Sequence, residues 1–185
     1  MVIQSELLVQ QLADIIKEQM DFAQQLLLLD DEQLQKRSHS KAWNILECLE
    51  HLNLYSAYYL PEISLGMQNS TAAASKEFRS GWLGNYFANS MLPKAKVSKM
   101  KTFKDKDPFG LPLKRAVIEE FLSNQKKYEE ILQLCQNKNL KKIRIKISIS
   151  RWISLSLGDT LRFIVNHQIR HFAQIQKINS LITLI

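Results

Sequence analysis

Glycine and proline are scarce in this chain, with five and four among 185 residues. That is few for an all-β fold or a disordered segment, both of which need frequent turns and breaks. Two cysteines, Cys48 and Cys135, cannot build a disulfide framework, and a reducing cytoplasm is the expected setting. The longest obvious apolar run, residues 26–29, is far too short to cross a bilayer. No basic stretch followed by an apolar one opens the chain, so neither a signal peptide nor a membrane span is expected. Histidine is also rare, with four in all.

What remains is rich in Leu, Ile, Gln, Lys and Glu, which favours helix. The length suits a single domain over residues 1–185, able to bury roughly 70% of its unfolded surface. The net charge of +7 is concentrated. Six lysines fall between positions 94 and 106, and Lys138, Lys141, Lys142, Arg144 and Lys146 form a second patch. No nucleic-acid-binding motif accompanies them, so solvated loops are the simpler reading and no specific nucleic-acid partner is expected. A nucleic-acid-binding module would instead betray itself by steep salt dependence.

Helical periodicity organises the chain. Leu8, Leu12, Ile15, Phe22, Leu26 and Leu29 form one stripe, interrupted by Gln19. A polar connection follows to Ser40. Asn44 and Glu47 have the spacing of a capping box, with Trp43 before the cap to pack on the first turn. Ile45, Leu49, Leu52, Tyr59 and Ile63 continue that helix, which Pro61 kinks or ends, with Gly66 as the later alternative. Residues 66–112 are irregular, with a short amphipathic helix between 78 and 92, and read as a crossover. A third long helix is predicted over about 113–136. Residues 143–149 alternate as a strand does, but no second strand of similar quality is evident, so an extended connection along the bundle is expected. Asp159 is a candidate N-cap for the last helix. Together these elements predict an all-α four-helix bundle with a long crossover and an extended connection before the last helix.

In that last helix Ile164, His167, His171, Ile175, Ile178 and Ile182 share one face. Residues four apart project together, which is the spacing at which two imidazoles can grip one ion. His51 lies on the second long helix and could complete a three-nitrogen site. Its side of that helix also carries Glu47, Cys48, Tyr55 and Tyr58. Three neutral imidazoles suit zinc, nickel, copper, cobalt or iron, with zinc and nickel foremost, and leave a position open to water or substrate. Gln174, Tyr55 and Tyr58 are candidate partners around the ligands. His39 is expected to be exposed. Cys48 is a buried apolar side chain before it is a fourth ligand, and Glu47 is accounted for by the cap. Tyr55, Tyr58, Trp82 and Tyr86 read as packing residues.

The stretch Trp43-Asn-Ile-Leu-Glu-Cys-Leu-Glu-His-Leu52, with His167-x-x-Arg-His171-x-x-Gln174, resembles the DinB/YfiT-like superfamily. The resemblance covers most of the chain in helix order. Asn44 departs from the commoner serine, and both residues can cap. The resemblance implies a four-helix bundle holding a divalent metal on residues matched here by His51, His167 and His171. It further implies a metal-dependent enzyme, such as a transferase using a low-molecular-weight thiol cosubstrate against an electrophile. Metal-dependent hydrolysis is the neighbouring activity. A non-enzymatic metal-binding bundle with a stress-response role is the alternative. Oligomeric state stays open, although members of the family often form homodimers.

Overall fold

The computed structural model describes residues 1–93 and 102–183. Positions 94–101 of the lysine run, and the side chain of Ile182, lie outside the described residues.

Four long helices form the body: α1 (Ser5–Leu26), α3 (Ile45–Gln68), α5 (Ala116–Cys135) and α6 (Leu157–Thr183). Shorter elements join them: β1 (Val2–Gln4), α2 (Asp31–Gln35), β2 (Glu77–Arg79), α4 (Trp82–Ser90), a 3₁₀ turn (Lys104–Lys106), β3 (Arg144–Ile147) and β4 (Ser150–Ser156). Helices α1 and α3 both pack on α5 and α6, which places α1 diagonally across from α3. No described helix is long and apolar enough to cross a membrane.

Two apolar clusters reveal the helix directions. One takes residues 8–16 of α1, 59–67 of α3, 128–135 of α5 and 157–165 of α6. The other takes 23–26, 45–52, 117–121 and 172–178 of the same helices. Thus α1 and α6 run one way and α3 and α5 the other. Between the clusters each long helix contributes a buried polar side chain: Gln19, Asn53 and Ser56, Asn124 and Gln125, and Gln168. Asn53 donates to the Val117 carbonyl and accepts from Asn124. Both amide atoms of Gln125, and the amide oxygens of Gln19 and Gln168, have no hydrogen-bond partner among the described residues. Gln19 therefore belongs to the buried stripe of α1.

The bundle expectation holds, with four corrections of detail. Helix α3 runs unbroken through Pro61 to Gln68. Pro61 and Ala57, four residues earlier, are exposed; water can serve the carbonyl that the missing N–H leaves free. Gly66 also stays within α3, where its missing Cβ leaves room for β3: a Cβ there would lie 2.5 Å from Ile145 Cδ1. The extended segment after α5 does have a partner. Strands β3 and β4 pair antiparallel, Ile145 opposite Leu155 and Lys146 opposite Ser154, with a register shift beyond Lys146. The serines of β4 dilute its alternation, so its sequence carries little strand signal. Asp159 is not the cap of α6: Ser156 is, its hydroxyl accepting from the Asp159 N–H and donating to the Asp159 carboxylate. The remaining Asp159 bonds reach across to Ser80 and the Gly81 N–H, and an ion pair to Arg162 adds to them.

The described part of the crossover holds more regular structure than its composition suggests. Strand β2 pairs with β1, burying Phe78, and α4 packs on α6. Helix α4 buries Gly84 and Ala88, whereas Trp82 and Tyr86, expected as packing residues, are exposed.

Candidate metal centre

Helix α3 opens as its sequence predicts: Asn44 Oδ1 accepts from the Glu47 N–H at 2.8 Å, and Glu47 Oε2 accepts from the Asn44 N–H at 2.9 Å. One turn after Glu47, His51 faces α6, where the four-residue spacing stacks His167 and His171 on one side. All three are buried, at 3%, 6% and 8% exposure.

The three Nε2 atoms converge. Those of His51 and His167 are 3.1 Å apart, and those of His167 and His171 are 3.0 Å apart. A ligand atom from each falls within 4.8 Å of the others. Metal–nitrogen bonds of ~2.0–2.1 Å in a tetrahedral shell would separate two nitrogens by about 3.3 Å, so little movement is needed to admit an ion.

The remaining ring nitrogens of His51 and His171 say which form those two imidazoles take. His51 Nδ1 lies 2.6 Å from the Lys106 carbonyl oxygen, which can only accept. Nδ1 therefore carries the proton and Nε2 a lone pair. His171 Nδ1 lies 3.3 Å from Gln174 Oε1, with the same consequence. Two lone pairs thus aim at His167 Nε2, which can donate one proton at most. At least one electron pair is left facing another nitrogen, and a cation at the point of convergence would resolve that conflict.

Burial is the main cause pushing the imidazoles down: His51 to about 4, with the Lys106 carbonyl opposing the shift, and His171 to about 3, with repulsion from His51 adding to it. His167 falls well below the ordinary range, through burial first and then through its two histidine neighbours and Arg170. All three are neutral near pH 7, the form that ligates.

Aromatic rings wall the cluster. Trp43 stacks on His171 at 5.7 Å between centroids and lies 4.7 Å from His51. Tyr55 lies 4.9 Å from His51 and 4.5 Å from His167. Phe163 stacks on His167.

A family model of the DinB superfamily matches residues 15–175. The chain belongs to the DinB superfamily. Among solved structures it is similar to YfiT from Bacillus subtilis, described as a probable metal-dependent hydrolase with an unusual four-helix bundle topology. The TM-score is 0.56 at 13% identity, over 97% of this chain and 87% of that one. At that identity the likeness carries the fold. No curated protein sequence matches the chain.

His51, His167 and His171 come together, and Gln174 meets His171 as its position on the same face suggests. Tyr55 touches the cluster, whereas Tyr58 packs edge-on against Tyr59. His39 is exposed. Cys48 is fully buried in an apolar cluster, where burial drives its thiol far above the ordinary range. It stands outside the metal-ligating group found among the described residues.

Three features were not foreseen. Trp43 covers the histidines and donates its Nε1–H to Asp107 at 3.2 Å. The Lys106 carbonyl comes from the crossover, 55 positions from His51. Glu47 does more than cap: it accepts from the Arg37 guanidinium through both oxygens and from the Gly110 N–H. The sequence signal available for this was an arginine ten residues before the capping glutamate.

Proposed function

We propose that this protein is a divalent-metal-dependent enzyme whose ion is held by His51, His167 and His171 and activates a low-molecular-weight thiol for attack on an electrophile. The observation that carries the reading is the convergence of three neutral imidazoles on one point with too few protons to satisfy one another. When bound, the ion would lower the pKa of the nucleophile and hold it beside its target. The ligand set is neutral, so it leaves the charge of a dication uncompensated and favours an anionic fourth ligand such as a thiolate.

The chain's own residues supply the rest. Lys106 and Gln174 hold the His51 and His171 rings with Nε2 turned inward. Trp43, Tyr55 and Phe163 keep water from the faces of the imidazoles and strengthen electrostatic interactions within the site. A second reading, activation of water for hydrolysis, is favoured by the description of YfiT as a probable metal-dependent hydrolase.

The test has two parts. Elemental analysis of protein purified without a metal-affinity tag should find about one divalent ion per chain, lost in the His167→Ala/His171→Ala variant with helicity retained. The metal-loaded protein, offered panels of thiols, electrophiles and hydrolysable esters, should turn over a thiol–electrophile pair. Hydrolysis alone would select the second reading, and a wild-type chain that retains no metal would overturn both.

A further inference from the structure

We propose that Glu47 is a positioning residue for the candidate metal centre: by holding the strap of residues 103–110 against α3, it keeps the Lys106 carbonyl on His51 Nδ1 and so fixes which nitrogen of His51 is free to ligate. The inference rests on the metal reading above for its consequence, but its geometry stands without an ion.

Capping requires one glutamate oxygen. Here Oε2 accepts from the Asn44 N–H and from Arg37, while Oε1 accepts from Arg37 at 2.7 Å and from the Gly110 N–H at 2.6 Å. The carboxylate is fully buried, a costly placement for a group that caps just as well from the surface. Burial would raise its pKa, yet the Arg37, Asn44 and Gly110 hydrogen bonds outweigh that and hold it below the ordinary value. It is therefore a buried anion tying three separate pieces of chain together: the segment before α3, the helix itself and the strap.

Three hydrogen bonds tie the strap to α3 and the residue before its cap. Lys106 accepts from His51, Asp107 accepts from Trp43, and Gly110 donates to Glu47. Arg37, while paired with Glu47, also lies 5.0 Å over the Phe109 ring. Of these ties, the one to Glu47 involves a buried formal charge, and charge-assisted bonds are the stronger kind. Gly110 reaches it with φ of +77°, a conformation that glycine adopts freely, and a Cβ there would meet nothing within 4 Å. The constraint on Gly110 is thus conformational rather than steric.

Without the strap, His51 Nδ1 has no carbonyl to hold its proton. The ring then divides between two tautomers, and the one with Nε2–H offers no lone pair on the nitrogen that faces the other histidines. Loss of such outer partners typically weakens metal binding by ~10–100-fold.

The experiment uses the full chain carrying Glu47→Gln or Gly110→Ala; the second leaves the helix cap intact and disfavours only the strap conformation. Zinc affinity is measured by chelator competition, and the His51 tautomer by ¹⁵N chemical shifts in metal-free protein. Both variants should bind zinc 10–100-fold more weakly and convert His51 from the Nδ1–H form to a mixture, with His171 unchanged. If Glu47→Gln lowers thermal stability but leaves the His51 tautomer and zinc affinity as in wild type, Glu47 is only a cap and the proposal falls. Should that variant fail to fold, an unchanged His51 tautomer in Gly110→Ala overturns it equally. Failure of the wild type to bind zinc would sink the metal reading, while the tautomer measurement would still decide the role of Glu47.

Discussion

Lowering the pH should destabilise the metal-free protein over a window set by its buried histidines. In the unfolded chain an imidazole takes up a proton near pH 6.5. In the folded protein His51 does so only at about 4, chiefly because burial penalises its charged form. Between those values the unfolded state binds more protons than the native state. Stability is therefore fully present above pH 6.5 and is lost as the pH falls toward 4. Each pH unit in the window is worth ~1.4 kcal/mol per group, so two units, from 6.5 to 4.5, remove about 2.7 kcal/mol through His51 alone. His171, held at about 3, loses stability over the same range. Restricting the comparison to pH 4.5 and above keeps clear of Glu47, whose pKa is lowered and whose contribution fades at more acid pH. The assay is urea unfolding of chelator-stripped protein at pH 7 and 4.5, beside the His51→Gln variant, which retains a donor for the Lys106 carbonyl. The wild type should lose more stability than the variant by roughly 2–3 kcal/mol. Parallel losses in the two proteins would refute the claim that His51 is buried and neutral.

Other perturbations follow from the same packing. Zinc at 100 times its dissociation constant should raise the unfolding free energy by about 2.7 kcal/mol, read as a thermal shift that the His167→Ala/His171→Ala variant lacks. Gln125→Met replaces an amide with no partner among the described residues by an apolar side chain of similar shape; it should stabilise the protein by ~1 kcal/mol in urea unfolding, and a loss of similar size would show that the amide is satisfied. Gly84→Ala should cost about 1–3 kcal/mol, because the new Cβ would collide with the Asp159 carboxylate that secures α4 to α6; an unchanged melting temperature would contradict the close approach.

Much of the candidate site could be read from local pattern. His167 and His171 share a helix face whatever the rest of the chain does, and Gln174 follows on the same side. The capping box at Asn44 and Glu47 spans four residues, and it formed as its spacing predicts. Strand β4 was missed for a physical reason: Ser154 and Ser156 sit opposite Lys146 and Arg144, and serine carries almost no strand signal. Pro61 does not end α3, because it lies on the face that meets water, and a proline rule cannot tell which face that is. Trp82 and Tyr86 misled because aromatic residues usually pack, while α4 uses its small residues to approach α6 closely.

By itself the sequence determined what depends on a few neighbouring residues: the helices, the cap, and two imidazoles at one turn's separation. Periodicity and side-chain chemistry act within a turn or two, so they survive without any knowledge of the fold. Only the tertiary structure decided that His51 meets a histidine 116 positions away, that α1 runs with α6 rather than against it, and that a backbone carbonyl of the crossover dictates which nitrogen of His51 faces inward. Those outcomes belong to helix packing and chain return, where contact is set by burying shared apolar surface, and a carbonyl leaves no mark in the pattern of side chains.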